Sequence, residues 1–579
     1  MKTRKATKSV LPLLLALAMM LGLLTGCGGS SSDGTSDSGS GSSASSSADS
    51  SAAESGDADA SGDEEGADND ASIVSTDYDN SVQIDSLTYI QDTDITSLVP
   101  WDVRTLTPGI AYEVYEMLFG VDSNGEYYPV LADATRGDYM PGMDHEEGSS
   151  DYTIYIYDYI YDSAGHHITA DDVKFSFDMA RDGGFESGWG SFESEEVIDE
   201  TTIVLHCTEE LTKMGELQNI ICRTYIFSEE AYNESPSGLS ADACGTGPYT
   251  VESFTASTEL IVTKRDDYWQ TNEELKQQIQ QANVGTITLT LLTESTQEVI
   301  GLETGTIDLA EKISADNVDQ LVADGYGDSF NTYSSQSNMI VYAYCNVDEA
   351  SLCSNVALRK AILMAIDNEA LAAFEGNGMV ACTTLGNSFF ADYDTSWEGA
   401  YSLYQSADEA TIQSLLDEAG YNGETLKLLT ATYCGDYAEI IEGQLEAYGI
   451  NVELYVMDGG TCNTMKADPT EWDIFYQYMA ADDYVVNLWS HLIDADGRSN
   501  GATENFIVDD TLQDLLHTCM ASETHTAENM DAFLQYVDDN AYVKALVTGS
   551  DILLYPDYVS TVFKTDKGYI VPGACCFTE

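Results

Sequence analysis

Apolar residues recur along this chain in two rhythms, one of period 3.6 and one of period two, and the alternation between them predicts its elements. Thr169-Ala-Asp-Asp172 precedes Val173, Phe177 and Ala180, an apolar helical face behind a start like a capping box with Asp in place of Glu. Ser354 or Asn355 can cap a second helix, on which Leu358, Ala361, Ile362, Ala365 and Ile366 fall at helical spacing. A third helix is expected from Ser406, with Glu409 completing its capping box. It runs through Ile412, Leu415, Leu416 and Ala419 and stops at Gly420. Residues 425–432 then read as a strand and 437–448 as a helix ended by Gly449, while Ile450, Val452, Leu454 and Val456 alternate as a second strand. This β-α-β succession predicts an α/β lobe with a partly parallel sheet, whose ligands bind at the carboxyl ends of strands.

Before that patterned region lies a different kind of chain. From Gly28 to about Asn80 the residues are Ser, Gly, Ala, Asp and Glu, with Ile73 and Val74 the first large aliphatics. Too little apolar surface is available there to offset ordering entropy, so 28–80 is expected to be a disordered acidic tether. Ahead of it, Lys2, Arg4, Lys5 and Lys8 precede an apolar run from Val10 to Leu24, shorter than the roughly 20 residues of a membrane-spanning helix. The run ends at Leu24-Thr25-Gly26-Cys27, which resembles the lipobox of bacterial lipoproteins. That resemblance implies a signal peptide over 1–27, a lipid on Cys27, and a mature protein outside the cytoplasm that meets the membrane only through this anchor.

Composition narrows the function further. The 579 residues are 43% hydrophobic, enough for a large core, and too many for one compact domain, so two or three lobes are expected. With 22 Lys+Arg against 100 Asp+Glu the net charge is −78, a surface that repels nucleic acid and anionic lipid. Of the 12 cysteines, eleven remain beyond Cys27, without a Cys-x-x-Cys; adjacent Cys575-Cys576 are expected to be buried or free thiols.

Candidate chemistry is thin. The folded part has no Gly-x-Ser-x-Gly elbow, and Gly245-Thr246-Gly247 runs into Pro248, a turn and not a phosphate-binding helix start. His166-His167 follow Ser163-Ala164-Gly165 and read as surface loop residues, with no partner at ligand spacing. Asp122-Ser-Asn124-Gly125 and Asp494-Ala-Asp496-Gly497 lack the full oxygen set of a calcium loop and read as turns. No catalytic residue, metal or cofactor is expected.

An ordered series of blocks resembles the dipeptide, oligopeptide and nickel solute-binding proteins (family 5) of bacterial ABC importers. These are Tyr115-Glu-Met-Leu-Phe119 with Asn124-Gly125 and Pro129-Val-Leu-Ala132; Ile168-Thr-Ala-Asp-Asp-Val-Lys-Phe-Ser-Phe177; Gly245-Thr-Gly-Pro-Tyr249 with Arg265-Asp-Asp-Tyr-Trp269; Leu302-Glu-Thr-Gly-Thr-Ile-Asp308; Val356-Ala-Leu-Arg-Lys-Ala361 with Ala365-Ile-Asp367; and Tyr448-Gly-Ile-Asn-Val452. The resemblance implies a two-lobe, periplasmic-binding-protein-like (type II) α/β fold with a hinge and a ligand cleft. Lobe I would cover 81–335 with the family's extra subdomain, lobe II 336–542, and 543–579 would return to lobe I. It further implies a monomeric receptor that captures peptides and delivers them to an ABC permease with its ATPase subunits. A nickel chelate or other small solute is the alternative ligand, and a secreted acidic hydrolase the alternative from another class.

Site residues follow by the same resemblance. Asp94, Ile95 and Thr96 precede Ser97-Leu98-Val99-Pro100, where peptide receptors pair with ligand backbone. After Trp472-Asp473-Ile474 the family carries an aspartate that holds a peptide ammonium. Counting without gaps gives Asp482, and one insertion gives Asp483, followed by Tyr484. Tyr478 and Met479 stand where the family has Gly-Trp, Ala480 follows them, and no proline follows Tyr484. Tyr478 and Trp489 are expected to wall the pocket, and Arg359 to serve an internal ion pair.

Overall fold

The computed structural model describes residues 78–579 apart from 92–94, 103–105, 107, 123–124, 184–189, 292–294, 376–377, 482–483, 495–508 and 579. The expectations at Cys27, Asp94, Asp482 and Asp483, and for the segments 1–27 and 28–77, therefore lie outside the described residues.

One mixed sheet of eleven strands forms the frame. Its strands are β1 (Ile84–Gln91), β2 (Tyr249–Thr255), β3 (Glu259–Lys264), β4 (Val284–Leu291), β5 (Leu309–Ala310), β6 (Asn331–Cys345), β7 (Val380–Ala381), β8 (Thr425–Ala431), β9 (Asn451–Met457), β10 (Ile474–Ala480) and β11 (Val543–Tyr555). The spatial order is β2-β3-β4-β1-β5-β11-β6-β10-β8-β9, with β7 on β11. Each half has a parallel part, β4 and β5 on β1 and β9 and β10 on β8, as the β-α-β pattern predicts, while β2 on β3, β3 on β4 and β6 on β10 are antiparallel. The two halves are joined through the long antiparallel pair β6 and β11. Their ladder runs from Asn331↔Tyr555 to Gln336↔Ser550, breaks, and resumes at Ile340↔Thr548. The break leaves Ser337, Asn338 and Met339 opposite Gly549, and a second, smaller shift lies between Val341↔Val547 and Tyr342↔Ala545.

Alternation along β6 sorts the second half into two cores. Ile340, Tyr342 and Tyr344 pack with Trp472, Trp489 and Phe533 on one face. Val341, Ala343 and Cys345 pack with Ile362, Leu416 and Ile441 on the other. Buried on both faces, these strands read as continuous apolar runs. In the first half a separate core forms where a four-stranded antiparallel sheet (143–145, 151–155, 192–199, 202–207) meets the helix Ala170–Gly183, whose buried face is Ala170, Val173, Ser176, Phe177 and Ala180.

Local signals explain most boundaries. Asn355 accepts hydrogen bonds from Ala357 N and Leu358 N and so opens Val356–Ala365. The helix expected from Ser406 instead begins at Glu409, because Asp408 is the residue whose carboxylate accepts from Thr411 N at 2.7 Å. The Gly245-Thr246-Gly247 turn is a close approach: a Cβ on Gly245 would lie 2.1 Å from Val114 O. Arg265 binds the same turn, donating to Gly247 O at 3.1 Å and to Asp162 O at 2.8 Å. Among the described residues Arg359 has no ion-pair partner; it donates to Cys353 O, Ser354 O and Asn540 O, helix-end carbonyls that need a donor. Cys575 and Cys576 are free, buried thiols. Among the described residues, no helix is long and apolar enough to cross a membrane.

Candidate ligand cleft

Where the sheet halves meet, a cavity of about 670 Å3 opens beside the β6–β11 joint. That size falls within the roughly 300–1,000 Å3 usual for small-molecule pockets. Tyr333 to Gln336 of β6 and Ser550 to Leu553 of β11 form one wall. The first half adds Glu311 and Lys312, just beyond the carboxyl end of β5, and the turn Lys564 to Tyr569. From the second half come Ser388 to Ala391 and Tyr484.

Both signs of charge are held in this space. Glu311 accepts from Tyr89 Oη, and burial pushes its carboxyl above the usual range. Lys564 lies 4.4 Å from the Tyr333 ring centroid, and burial lowers its ammonium pKa although Glu311 and Asp551 oppose that. Asp566 accepts from Arg223 and from Gln218 Nε2, the latter at 2.9 Å. Gln218 itself is buried against the cavity, and its Oε1 has no hydrogen-bond partner. A buried acceptor left open this way is costly unless something binds it.

Contacts between the halves extend past the cavity. Met214 N donates to Met520 O at 2.8 Å and Ser522 N to Thr212 O at 2.7 Å, a short antiparallel bridge of Lys213 on Ala521. Gly125, at φ +81°, lies under Tyr484, whose Oη would be 2.9 Å from a Cβ there. Asp392 caps the helix Val485–Ile493, accepting from Val485 N at 2.5 Å. Desolvation raises the Asp392 pKa to about 6, against the lowering effect of these backbone bonds and of His525, 3.6 Å away.

The expected site residues are distributed unevenly around this cavity. Tyr484 lines it. Tyr478, Met479 and Ala480 pair with Val341, Ile340 and Met339 at the end of β10 and are not among its lining residues. They lead to Ala481, whose carbonyl accepts from the cavity-lining Asn338 at 3.2 Å. Ile95 is buried in the first-half core, with its carbonyl bonded to Ser257 N, and Thr96 is exposed; neither lines the cavity. Trp489 is a core residue and not a pocket wall: it is fully buried, stacks on Phe533 at 4.7 Å and donates to Leu385 O at 2.6 Å. Its helix is apolar nearly all round, so sequence spacing gave no means of separating a wall from a core position. Gln218, Lys312, Lys564 and Asp566 carry no motif, though cations are scarce enough in this chain that Lys564-Thr-Asp-Lys567 stands out.

Residues 126–496 match the family described as bacterial extracellular solute-binding proteins, family 5 Middle. The chain belongs to that family. Its relatives include the glutathione-binding protein GsiB of Salmonella paratyphi A, 24% identical over 381 residues (63% of this chain, 68% of the relative). The probable D,D-dipeptide-binding periplasmic protein DdpA of Escherichia coli is 21% identical over 500 residues, 81% of this chain and 90% of its own. Among solved structures, HbpA2 from Haemophilus parasuis superposes with a TM-score of 0.71 at 18% identity, over 86% of this chain and all of that one. The two-lobe, type II binding-protein fold implied by the sequence blocks is therefore the fold of this family-5 protein.

Proposed function

We propose that this family-5 protein is a lipid-anchored extracytoplasmic receptor that captures short peptides between its lobes and delivers them to an ABC permease. The observation that carries the peptide reading is the lining of the cavity. Lys312 and Lys564 supply ammonium groups, Glu311 and Asp566 supply carboxylates, and Gln218 Oε1 offers an unfilled acceptor. A zwitterion with backbone amides complements that combination of groups. Phe389, Phe390 and Tyr569 add apolar surface against which varied side chains can rest. No histidine is among the described lining residues, which favours a peptide over a metal chelate. Relatives named for glutathione and for D,D-dipeptides are in keeping with this class of solute. The sequence division puts lobe I at 81–335 and 543–579 and lobe II at 336–542; we take the joint near Gln336 and Gly549 as hinge, which moves 543–548 to lobe II, in whose cores Val543, Ala545, Leu546 and Val547 pack. Anchoring rests on Cys27, and Asp482 or Asp483 remains our candidate partner for a peptide ammonium.

Calorimetry with di- and tripeptides against their N-acetylated counterparts tests the reading. Free peptides are expected to bind and blocked ones to bind at least tenfold more weakly; equal affinities would refute ammonium recognition. Cys27→Ser is expected to abolish incorporation of labelled palmitate, and continued labelling would remove the anchor from the account.

A further inference from the structure

Among residues that do not line the cleft, the turn from Asp162 to His166 faces the short helix Glu229–Glu234. Asp162 has a fully buried side chain whose Oδ1 accepts from Ala164 N at 2.9 Å and His166 N at 2.8 Å. Its Oδ2 lies 2.8 Å from His166 Nδ1. A carboxylate only accepts, so Nδ1 carries a hydrogen, and Nε2 on the other side is the nitrogen a metal can take, displacing any proton there. This carboxylate–imidazole pair is the arrangement that orients metal-ligating histidines. On the Nε2 side, Glu234 Oε2 is 3.6 Å away, and one donor atom each of His166, Glu230 and Glu234 lies within 4.8 Å of the others.

We propose that His166, Glu230 and Glu234 form a binding site for a divalent transition-metal ion such as zinc, with Asp162 as the orienting residue. Glu230 and Glu234 are one helical turn apart, where like charges repel, so a cation between them relieves a built-in cost. Ser228 caps this helix by accepting from Ala231 N at 3.2 Å, and Asp172, accepting from Glu229 N at 2.9 Å, ties its first turn to the helix Ala170–Gly183. An open surface hollow of about 460 Å3 adjoins the site, and Asp171, Asp172, Glu229, Glu230 and Glu234 line it. That concentration of one sign of charge raises the local cation concentration. Tetrahedral zinc with ligands at about 2.0–2.2 Å needs donor separations of roughly 3.3–3.5 Å, within reach of small rotations of two exposed glutamates. An imidazole nitrogen beside carboxylates favours zinc, nickel or copper over calcium or magnesium, which prefer all-oxygen shells. A bound ion would tie the 162–166 turn to the 229–234 helix.

Titration of the full chain with zinc chloride, by calorimetry and by competition with a chelating dye, tests this. One site is expected above the diffuse carboxylate background, with calcium chloride failing to fill it. Affinity at that site should fall at least tenfold in His166→Ala and in the double variant Glu230→Gln/Glu234→Gln. The double variant alters only surface side chains and so keeps the test valid if His166→Ala misfolds. His167→Ala should bind as the unaltered protein does, since His166 and not His167 has a ring nitrogen within 4.8 Å of the Glu230 and Glu234 donor atoms. Unchanged binding in the glutamate variant would overturn the proposal. So would loss in Cys244→Ser with the glutamate variant intact, which would place the ion on the Nδ1 side with Asp162 and Cys244.

Discussion

Replacing Ser522 with proline removes one backbone donor between the lobes and disturbs little else. Ser522 occupies the second position of a turn closed by Thr524 N donating to Ala521 O at 3.0 Å, a position that favours proline. Ala521 before it has φ −76° and ψ 126°, the extended region that a following proline requires. What is lost is the 2.7 Å bond from Ser522 N to Thr212 O, one of the pair that joins 212–214 to 520–522. Such a bond contributes about 0.5–1.5 kcal/mol net, which corresponds to a roughly 2- to 12-fold change in the closed-to-open ratio. If the bridge forms when ligand closes the cleft, the loss appears in full as weaker binding, because apparent affinity scales with the population of the binding-competent state. Calorimetry with the solute recovered from the purified protein would measure the affinity, and small-angle scattering the compaction. The expected result is binding weakened by that factor, with the melting temperature of the ligand-free protein unchanged. Unaltered affinity in a folded Ser522→Pro protein would show that the bridge does not report on closure.

Three further perturbations follow from the geometry. Gln218→Met keeps the volume but removes the open Oε1 acceptor together with the Nε2 donor to Asp566, so affinity for a ligand with a free amine should fall by about 1.5–3 kcal/mol in calorimetry, and an unchanged value would remove Gln218 from the site. Arg265→Met strands Gly247 O, Thr246 O and Asp162 O without their buried donor and should cost about 2–4 kcal/mol in denaturant unfolding; a loss below 1 kcal/mol would mean water replaces the guanidinium. Burial raises Glu113 from 4.5 to about 8, opposed by the bond from Gly573 N, so folding takes up a proton between those values. Its stabilisation is then complete below pH 4.5 and lost as pH rises towards 8, at up to ~1.4 kcal/mol per pH unit, and Glu113→Gln should abolish that slope in urea titrations; parallel curves for the two proteins would contradict it.

Much of the frame was legible because its signals are local. Asn355 caps where a cap was expected, and the 425–456 stretch forms the parallel β-α-β unit that its alternation announced. The cap at Asp408 and not Ser406 shows the limit: two acidic or hydroxyl residues two positions apart both satisfy the pattern, and packing chooses between them. Ligand-cleft residues were far less visible. Gln218 meets Asp566, and Lys564 meets Tyr333, only because distant segments are brought together, over separations that no periodicity encodes. Trp489 misled for the opposite reason, since a tryptophan near a cleft-bordering segment has the same sequence appearance whether it faces ligand or Phe533. His166 likewise had no ligand-spaced partner in sequence, and Glu234 reaches it only through the fold.

The central claim, that the cleft between the lobes holds a peptide, is tested most directly by mass spectrometry of the solute released when gently purified protein is denatured. A ladder of short peptides is the predicted result, and its length distribution would set the reach of the cavity. A single non-peptide species would keep the family and the fold while contradicting the peptide reading.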